Sequence, residues 1–389
     1  MITISSADNI LKTVYLDAIT DLLNTKTNPL LAKIQKTSIH VTGKEIRKSL
    51  KLTIDGGIGA GDETGDLPLA SPSLYAQAVM TLKNLYGQIE ISDKVMRAGN
   101  DQEGAFSNIL QSSLEGLLEA SKFNLSRMLY GNGSGLLAVG TLGTDTRQIL
   151  LQNGIGNLIE GLLVDIYDKD TDTLIAHRLA ILNLDRGEND SAELNQSLST
   201  TATTLALYQS GSRDKEITGI GAIFDTDKPL YGLDRNQYKT LKPYTDGNMS
   251  AVSDIVFQRA IDSIENYTNS TIDYIACASD VKLAYQAYLS TYKRNVDIME
   301  LQGGYKTISY NGIPIVSERF IDKGIAYLLD SKAFQMHQLC DWQFIEGDTG
   351  RVLRQTQGKP TYTATLVKYC DILCEKPNGQ ARLNLDTTL

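Results

Sequence analysis

The apolar positions of this 389-residue chain change period from segment to segment, and each period predicts an element. From Ser6 to about Leu31, Ile10, Leu11, Val14, Leu16, Ile19, Leu22 and Leu23 recur mostly three or four apart, predicting an amphipathic helix that Pro29 interrupts near its end. From Glu45 to Ile54 the pattern alternates instead. Ile46, Leu50, Leu52 and Ile54 face one side of a strand, and polar residues face the other. Asp55 to Asp66 (DGGIGAGDETGD) is loaded with glycine and acid, which predicts a mobile loop tip with little packing of its own. Tyr75 to Ser92, rich in Val, Leu, Tyr and Ile, reads as an extended segment returning antiparallel to the first, so the two predict a long hairpin. Two lone strands are marginal in water. The ribbon therefore packs either on this chain's own body or across a neighbouring subunit that supplies the missing apolar partner.

Asn100 and Glu103 form a capping box, and the leucines behind them hold helical spacing as far as Leu129, with Gly131, Gly133 and Gly135 as the exit. Such a helix of about 30 residues would be roughly 45 Å long. From Leu158 to Tyr231, short β-type runs separated by polar turns, ITGIGAIF among them, predict a β-rich insertion. Helices follow at about Ser253 to Tyr267 and Ser279 to Tyr292, and Asn311-Gly312 marks a tight hairpin. Strands are expected at Ile325 to Leu329 and, unusually long, at Thr361 to Cys374. The fold class is α+β.

Composition changes this picture little: 42% apolar and 21% charged residues describe an ordinary globular protein, of a length suited to about two or three domains. No apolar run is long enough for a membrane span, and the start resembles no signal sequence. The scattered Cys277, Cys340, Cys370 and Cys374 suit buried reduced thiols. A net charge of −9 argues against a dedicated nucleic-acid binder. Yet Lys26 to Lys51 holds seven cations against the single acid Glu45. Such a run is either a solvated face or an arm facing polyanions, with Lys33, Lys36, Lys44, Arg47 and Lys48 turned toward packaged DNA or an acidic assembly partner.

Catalytic signatures fail one by one. Each G-x-G pair, at Gly131, Gly133, Gly154 and Gly219, lacks the third glycine of a dinucleotide fingerprint, and no phosphate-binding loop exists. His40, His177 and His337 lack metal-ligand spacing, and Asn132 spoils a nucleophile elbow at Ser134. Asp168-x-Asp170-x-Asp172 lacks the glycine and glutamate of a calcium loop, which leaves a hairpin turn as the better reading. A hydrolase using Asp62, Glu63 or Asp66 has no desolvated pocket in so glycine-rich a setting. Neither enzyme activity nor a cofactor or metal is expected. The 19 tyrosines suit half-buried subunit interfaces.

In order, the chain presents an arm, a long hairpin, a capped helix, a helical α/β unit and a long returning strand. LYGQIEISDKVM, RMLYGNGSG, SDVKLAYQAYL, YNGIPIVSERF and YTATLVKYCDIL resemble the coat proteins of tailed phages, the Hong Kong 97-type fold. That resemblance implies an N-terminal arm (1–43), an extended loop (44–92), a peripheral domain with a spine helix (93–157), and a β-rich insertion with peripheral-domain strands (158–250). An axial domain (251–350) and a returning peripheral-domain strand (351–389) complete it. It implies a major capsid protein that assembles in the host bacterial cytoplasm into the icosahedral head of a virion. Its partners would be sister copies in hexamers and pentamers, a portal, a separate scaffolding protein and non-specifically held double-stranded DNA, with no membrane. Interface residues would be Ile46, Leu50, Leu52, Ile54, Asp62, Glu63 and Tyr75 of the extended loop. An encapsulin-like compartment is the alternative. Some relatives weld this loop to a neighbour through lysine, but Lys44, Lys48, Lys51 and Lys83 match no such motif. The expected shell is therefore free of covalent links and runs as a single band on a denaturing, reducing gel, where a ladder of multimers would refute this.

Overall fold

Fourteen residues rich in β-branched and aromatic side chains, Thr361–Cys374, form the strand about which one half of the molecule is built. The computed structural model describes residues 28–53, 55–66, 68–94, 105–187, 189–292, 298–301, 305–347 and 350–388. Lys83–Ser92 pairs antiparallel with one edge of the long strand, from Thr361 opposite Ser92 to Cys370 opposite Lys83. Phe334–Phe344 pairs antiparallel with the other edge, and Gln35–Thr37 adds in parallel beyond it. Arg354–Gln355 completes this five-stranded sheet.

The helix Ala105–Tyr130 packs against Lys83–Ser92. Its 26 residues span about 39 Å. The crossing is close at Gly87, where a Cβ would stand 2.7 Å from a Leu117 methyl. The expected capping box at Asn100 and Glu103 lies outside the described residues, as does most of the helix expected from Ser6. Pro29 opens a short helix, Pro29–Lys33, where an interruption was expected. Its missing N–H costs nothing in a first turn, and Asn28 caps the Leu30 amide.

A second, seven-stranded sheet runs in the order Tyr244–Ala251, Ala381–Asp386, Ile325–Leu329, Tyr274–Cys277, Ile313–Ser317, Tyr305–Tyr310 and Ile298–Leu301. Every residue of the central Ile325–Leu329 and Tyr274–Cys277 strands is buried, as near-continuous apolar runs require. The helices Asp254–Tyr267 and Ser279–Tyr292 accompany it, and Asn311 and Gly312, both at positive φ, make the expected hairpin turn. The chain crosses from this sheet to the first after Leu329 and back again after Cys374. Phe334–Phe344 belongs to the first sheet, and the terminal Ala381–Asp386 belongs to the second.

The β-rich insertion is a closed six-stranded barrel with its own core, including Ile149, Leu158, Val164, Ile166, Ile181 and Leu205. Its strands run from Leu136–Leu142 to Leu205–Gln209, so it begins and ends earlier than the Leu158 to Tyr231 expected. Asp168–Asp172 is a hairpin turn in which the Asp168 carboxylate accepts from the Asp170 amide. The run ITGIGAIF was expected to be extended but holds a helix, Ile220–Phe224. Ile217, Ile220, Ile223 and Phe224 lie three, three and one apart and are all buried, a helical spacing that short β-type runs on either side concealed.

Gly219 lies against the end of the long helix, where a Cβ would overlap the carbonyl oxygens of Met128, Leu129 and Gly131. All three are backbone atoms that cannot swing aside. Gly219→Ala should therefore destabilise the subunit by about 3 kcal/mol, read as a lower urea midpoint.

Candidate assembly surface

Glu45–Lys51 pairs antiparallel with Tyr75–Thr81, from Glu45 opposite Thr81 to Lys51 opposite Tyr75, and Val41–Thr42 adds a short third strand. Strict alternation buries Ile46, Leu50, Ala76, Ala78 and Met80 on one face. This chain's own Leu230, Tyr231, Leu241 and Leu373 cover that face. The root of the ribbon thus rests on its own body, which corrects the interface expectation at two positions: Ile46 and Leu50 are 0% and 2% exposed and offer nothing to a neighbour. Leu52 is half-buried against the same cluster, and Ile54 lies outside the described residues. The hairpin is also shorter than expected, because the segment from Tyr75 to Ser92 breaks at Leu82 and its second half leaves for the long strand.

Tyr231 pins the root. At φ 54° it holds a left-handed conformation unusual for a bulky residue. Its carbonyl accepts from the Val79 amide of the ribbon at 3.0 Å, and its hydroxyl accepts from the Cys374 amide of the long strand at 2.8 Å.

Beyond the strands the two arms of the ribbon stay joined. The Leu52 amide donates to the Leu74 carbonyl and the Gly56 amide to the Ser71 carbonyl. Asp55 accepts from the Ser73 hydroxyl and amide and pairs with Lys51 at 3.1 Å, contacts that hold its carboxyl below the usual range. The turn closes where the Gly65 amide meets the Asp62 carbonyl, with Asp62 and Glu63 exposed beside it. On this tip Ile58 is 91% exposed and Leu69 90%, with Tyr75 at 58% nearer the root. Ile58 and Leu69 were missed in the sequence. The signal was there, since a large apolar side chain among glycines and acids has nothing local to pack against.

Three of the arm cations, Lys33, Lys36 and Lys48, are engaged by acids of the chain itself. Lys33 donates to Asp273 at 3.2 Å, Lys36 to Asp341 at 3.4 Å, and Lys48 to Glu375 and, at 2.7 Å, to Gln335. Arg47 pairs with Glu45 at 2.8 Å, and Lys44 is exposed in a turn. Behind them, wholly buried Lys368 donates to Asp341 at 2.5 Å and Gln338 at 3.0 Å. Burial opposes ionisation of Asp341, but the Lys368 ammonium prevails and holds its carboxyl below the usual range.

His40 and His337, expected to be isolated, stand with ring centroids 6.3 Å apart, and buried His337 meets the Ile39 carbonyl through Nδ1. Cys277, Cys370 and Cys374 are free and buried, Cys340 free and partly exposed. Among the described residues no group of three His, Cys, Asp or Glu could hold a metal ion, and no helix is long and apolar enough to cross a membrane.

No family model and no curated protein matches the sequence. The structure does resemble solved ones. A chain of the cyanophage A-1(L) capsid asymmetric unit matches with a TM-score of 0.56 at 11% identity, over 93% of this chain and 94% of that one. The capsid of an empty GTA particle scores 0.47 at 9% identity, covering 92% and 89%. The holo-SrpI encapsulin complex from Synechococcus elongatus PCC 7942 scores 0.45 at 10% identity, covering 92% and 86%. The first of these carries the likeness: the chain has a mixed α+β fold that matches a phage capsid chain over nearly its whole length.

Because Lys48 is nearly enclosed beside Glu375, its charge reversal acts on the fold itself. Lys48→Glu should lower subunit stability by about 2 kcal/mol, while Arg47→Gln on the solvent face shifts it by less than about 0.5 kcal/mol. Urea unfolding of both variants measures the difference.

Proposed function

We propose that this chain is the major capsid protein of a tailed bacteriophage, a subunit without catalytic role that closes with sister copies into an icosahedral head around double-stranded DNA. One observation carries the reading beyond the fold: a ribbon locked at its root by its own body holds two bare apolar side chains, Ile58 and Leu69, at a tip that no described residue covers. Burying each against a sister copy would contribute about 1.5–3 kcal/mol. Asp62, Glu63 and Tyr75 lie along the same ribbon and join the proposed interface. Each such contact is weak alone, and a subunit repeating it within hexamers and pentamers gains strength through closure. A portal and a separate scaffolding protein complete the partners. Contact with DNA is non-specific in this reading, and among the described arm cations Lys44 and Arg47 are left in position for it, since Lys33, Lys36 and Lys48 are held by acids of the chain itself.

Electron microscopy and sedimentation of the expressed chain, alone and with the products of neighbouring reading frames, test the proposal. Closed shells containing nuclease-protected DNA are expected, and enzyme cargo would favour an encapsulin-like compartment. Ile58→Asp with Leu69→Asp should leave the urea midpoint unchanged and abolish shells. A wild-type chain that stays monomeric at high concentration under every condition would refute the assignment.

A further inference from the structure

The turn that carries the chain into the ribbon is fastened to the first sheet by an imidazole with room for a single proton. Gln35–Thr37 runs parallel to Phe334–Phe344 with Thr37 opposite His337, and just beyond it the Ile39 carbonyl meets His337 Nδ1 at 3.0 Å. A carbonyl oxygen only accepts, so Nδ1 carries a hydrogen, and in the neutral ring Nε2 is a bare lone pair. His337 is 0% exposed, and its Nε2, shut off from water, has no hydrogen-bond partner among the described residues. The turn itself is strained, with His40 held at φ 70° in the left-handed region.

A proton on Nε2 would create a buried N–H without an acceptor and a buried positive charge together. The surroundings add to that cost. Gln335 shares a strand face with His337 and accepts from Lys48 Nζ at 2.7 Å, which brings the ribbon's ammonium beside the ring. The His40 ring stands 6.3 Å away on the turn. Two acids are near but engaged elsewhere. Glu375 is paired with Lys48, and Asp371, opposite His337 on the long strand, accepts from the Thr218 amide and hydroxyl and from the Ile372 amide. On the arm side Lys36 is held by Asp341.

We propose that His337 is an acid-operated release for the turn at residues 37–41 and, through Lys48, for the root of the ribbon: neutral, it holds both on the first sheet, and protonated, it lets them go. Once the turn lifts, water reaches the ring and Nε2 gains an acceptor, so the released state takes up a proton that the seated state refuses. Burial lowers the His337 pKa from its ordinary 6.5, and Lys48 and His40 act in the same direction against the Ile39 bond. A base depressed in the seated state contributes its full stability above the ordinary value and loses it as pH falls through that value. Asp371 acts with the opposite sign: burial raises its carboxyl to about 6, so its titration favours the folded state as pH falls.

Hydrogen exchange on the full chain reads the seat through the Val41 and Arg47 amides, which donate to the Ser38 and His40 carbonyls. Corrected for intrinsic exchange, their protection should fall roughly tenfold between about pH 7.5 and about pH 5.5, while that of the central strand Ile325–Leu329 stays level. His337→Asn sets an amide nitrogen where Nδ1 donates to Ile39 and removes the titration, so its protection should be level across the same interval. A wild-type profile that is flat, or that rises as pH falls, overturns the proposal even if the variant fails to fold. A His337→Asn profile identical in slope to wild type overturns it equally. The measurement needs neither shells nor DNA, so its outcome is separate from that of the proposed function.

Discussion

Thr361–Cys374 is bonded to a neighbouring strand along each edge, and its side chains tie the other modules to it. Lys368 meets Asp341 and, through it, Lys36 of the arm. Asp371, fully buried, accepts from the Thr218 amide and hydroxyl beneath the end of the long helix; burial raises its carboxyl to about 6. Leu373 closes the core under the ribbon, and the Cys374 amide reaches Tyr231. A slip of one residue would exchange the faces of this strand. Lys368 would then be buried without Asp341 and Asp371 without Thr218, errors of several kcal/mol each. The buried charges add little net stability. What they supply is a single register, and with it a single placement of arm, barrel and ribbon.

The same economy governs the barrel. It has a core of its own, separate from the main one. Arg127 of the long helix, paired with Glu216 and 3% exposed like it, ties the barrel to the body by donating to Gln209 at the barrel's last strand. Arg319 adds a second tether to the Gly156 and Leu158 carbonyls. Two guanidinium groups with fixed donor geometry orient the barrel as a packed apolar face of similar area would not, since apolar contact is indifferent to small rotations.

What the sequence shows of this architecture follows from how local each signal is. Thr361–Cys374, Ile325–Leu329 and the Asn311-Gly312 turn stand where pattern alone puts them, because a β-branched run or a positive-φ pair is decided within a few residues. The break at Leu82 and the helix Ile220–Phe224 are not local matters. Lys83–Ser92 looks like a continuation of Tyr75–Thr81 until the long strand, some 280 residues later, takes it as a partner. The ion pairs of Lys33, Lys36 and Lys48 were hidden for the same reason, since the acids that hold them, Asp273, Asp341 and Glu375, lie far away in sequence. At the ribbon, alternation correctly separates the two faces but cannot say what covers the apolar one. Ile46 and Leu50 met their own chain, and the bare apolar residues proved to be Ile58 and Leu69.

On the proposed function, this division between root and tip is what a shell-forming subunit would need. Closure demands that each copy present its arms at a fixed angle, so the root must be settled before any neighbour arrives; Ile46, Leu50 and the Tyr231 clamp do that within one chain. Correct assembly also demands that a wrong contact come apart, which a large preformed apolar face would prevent. A tip with Ile58 and Leu69 exposed, flanked by Asp62 and Glu63, would commit only a few kcal/mol through them to any one encounter. In such a shell a misplaced copy could therefore leave, while one that satisfied several tips at once would be held by their product. Moving the apolar surface from tip to root, or the reverse, would sacrifice one of these two requirements to the other.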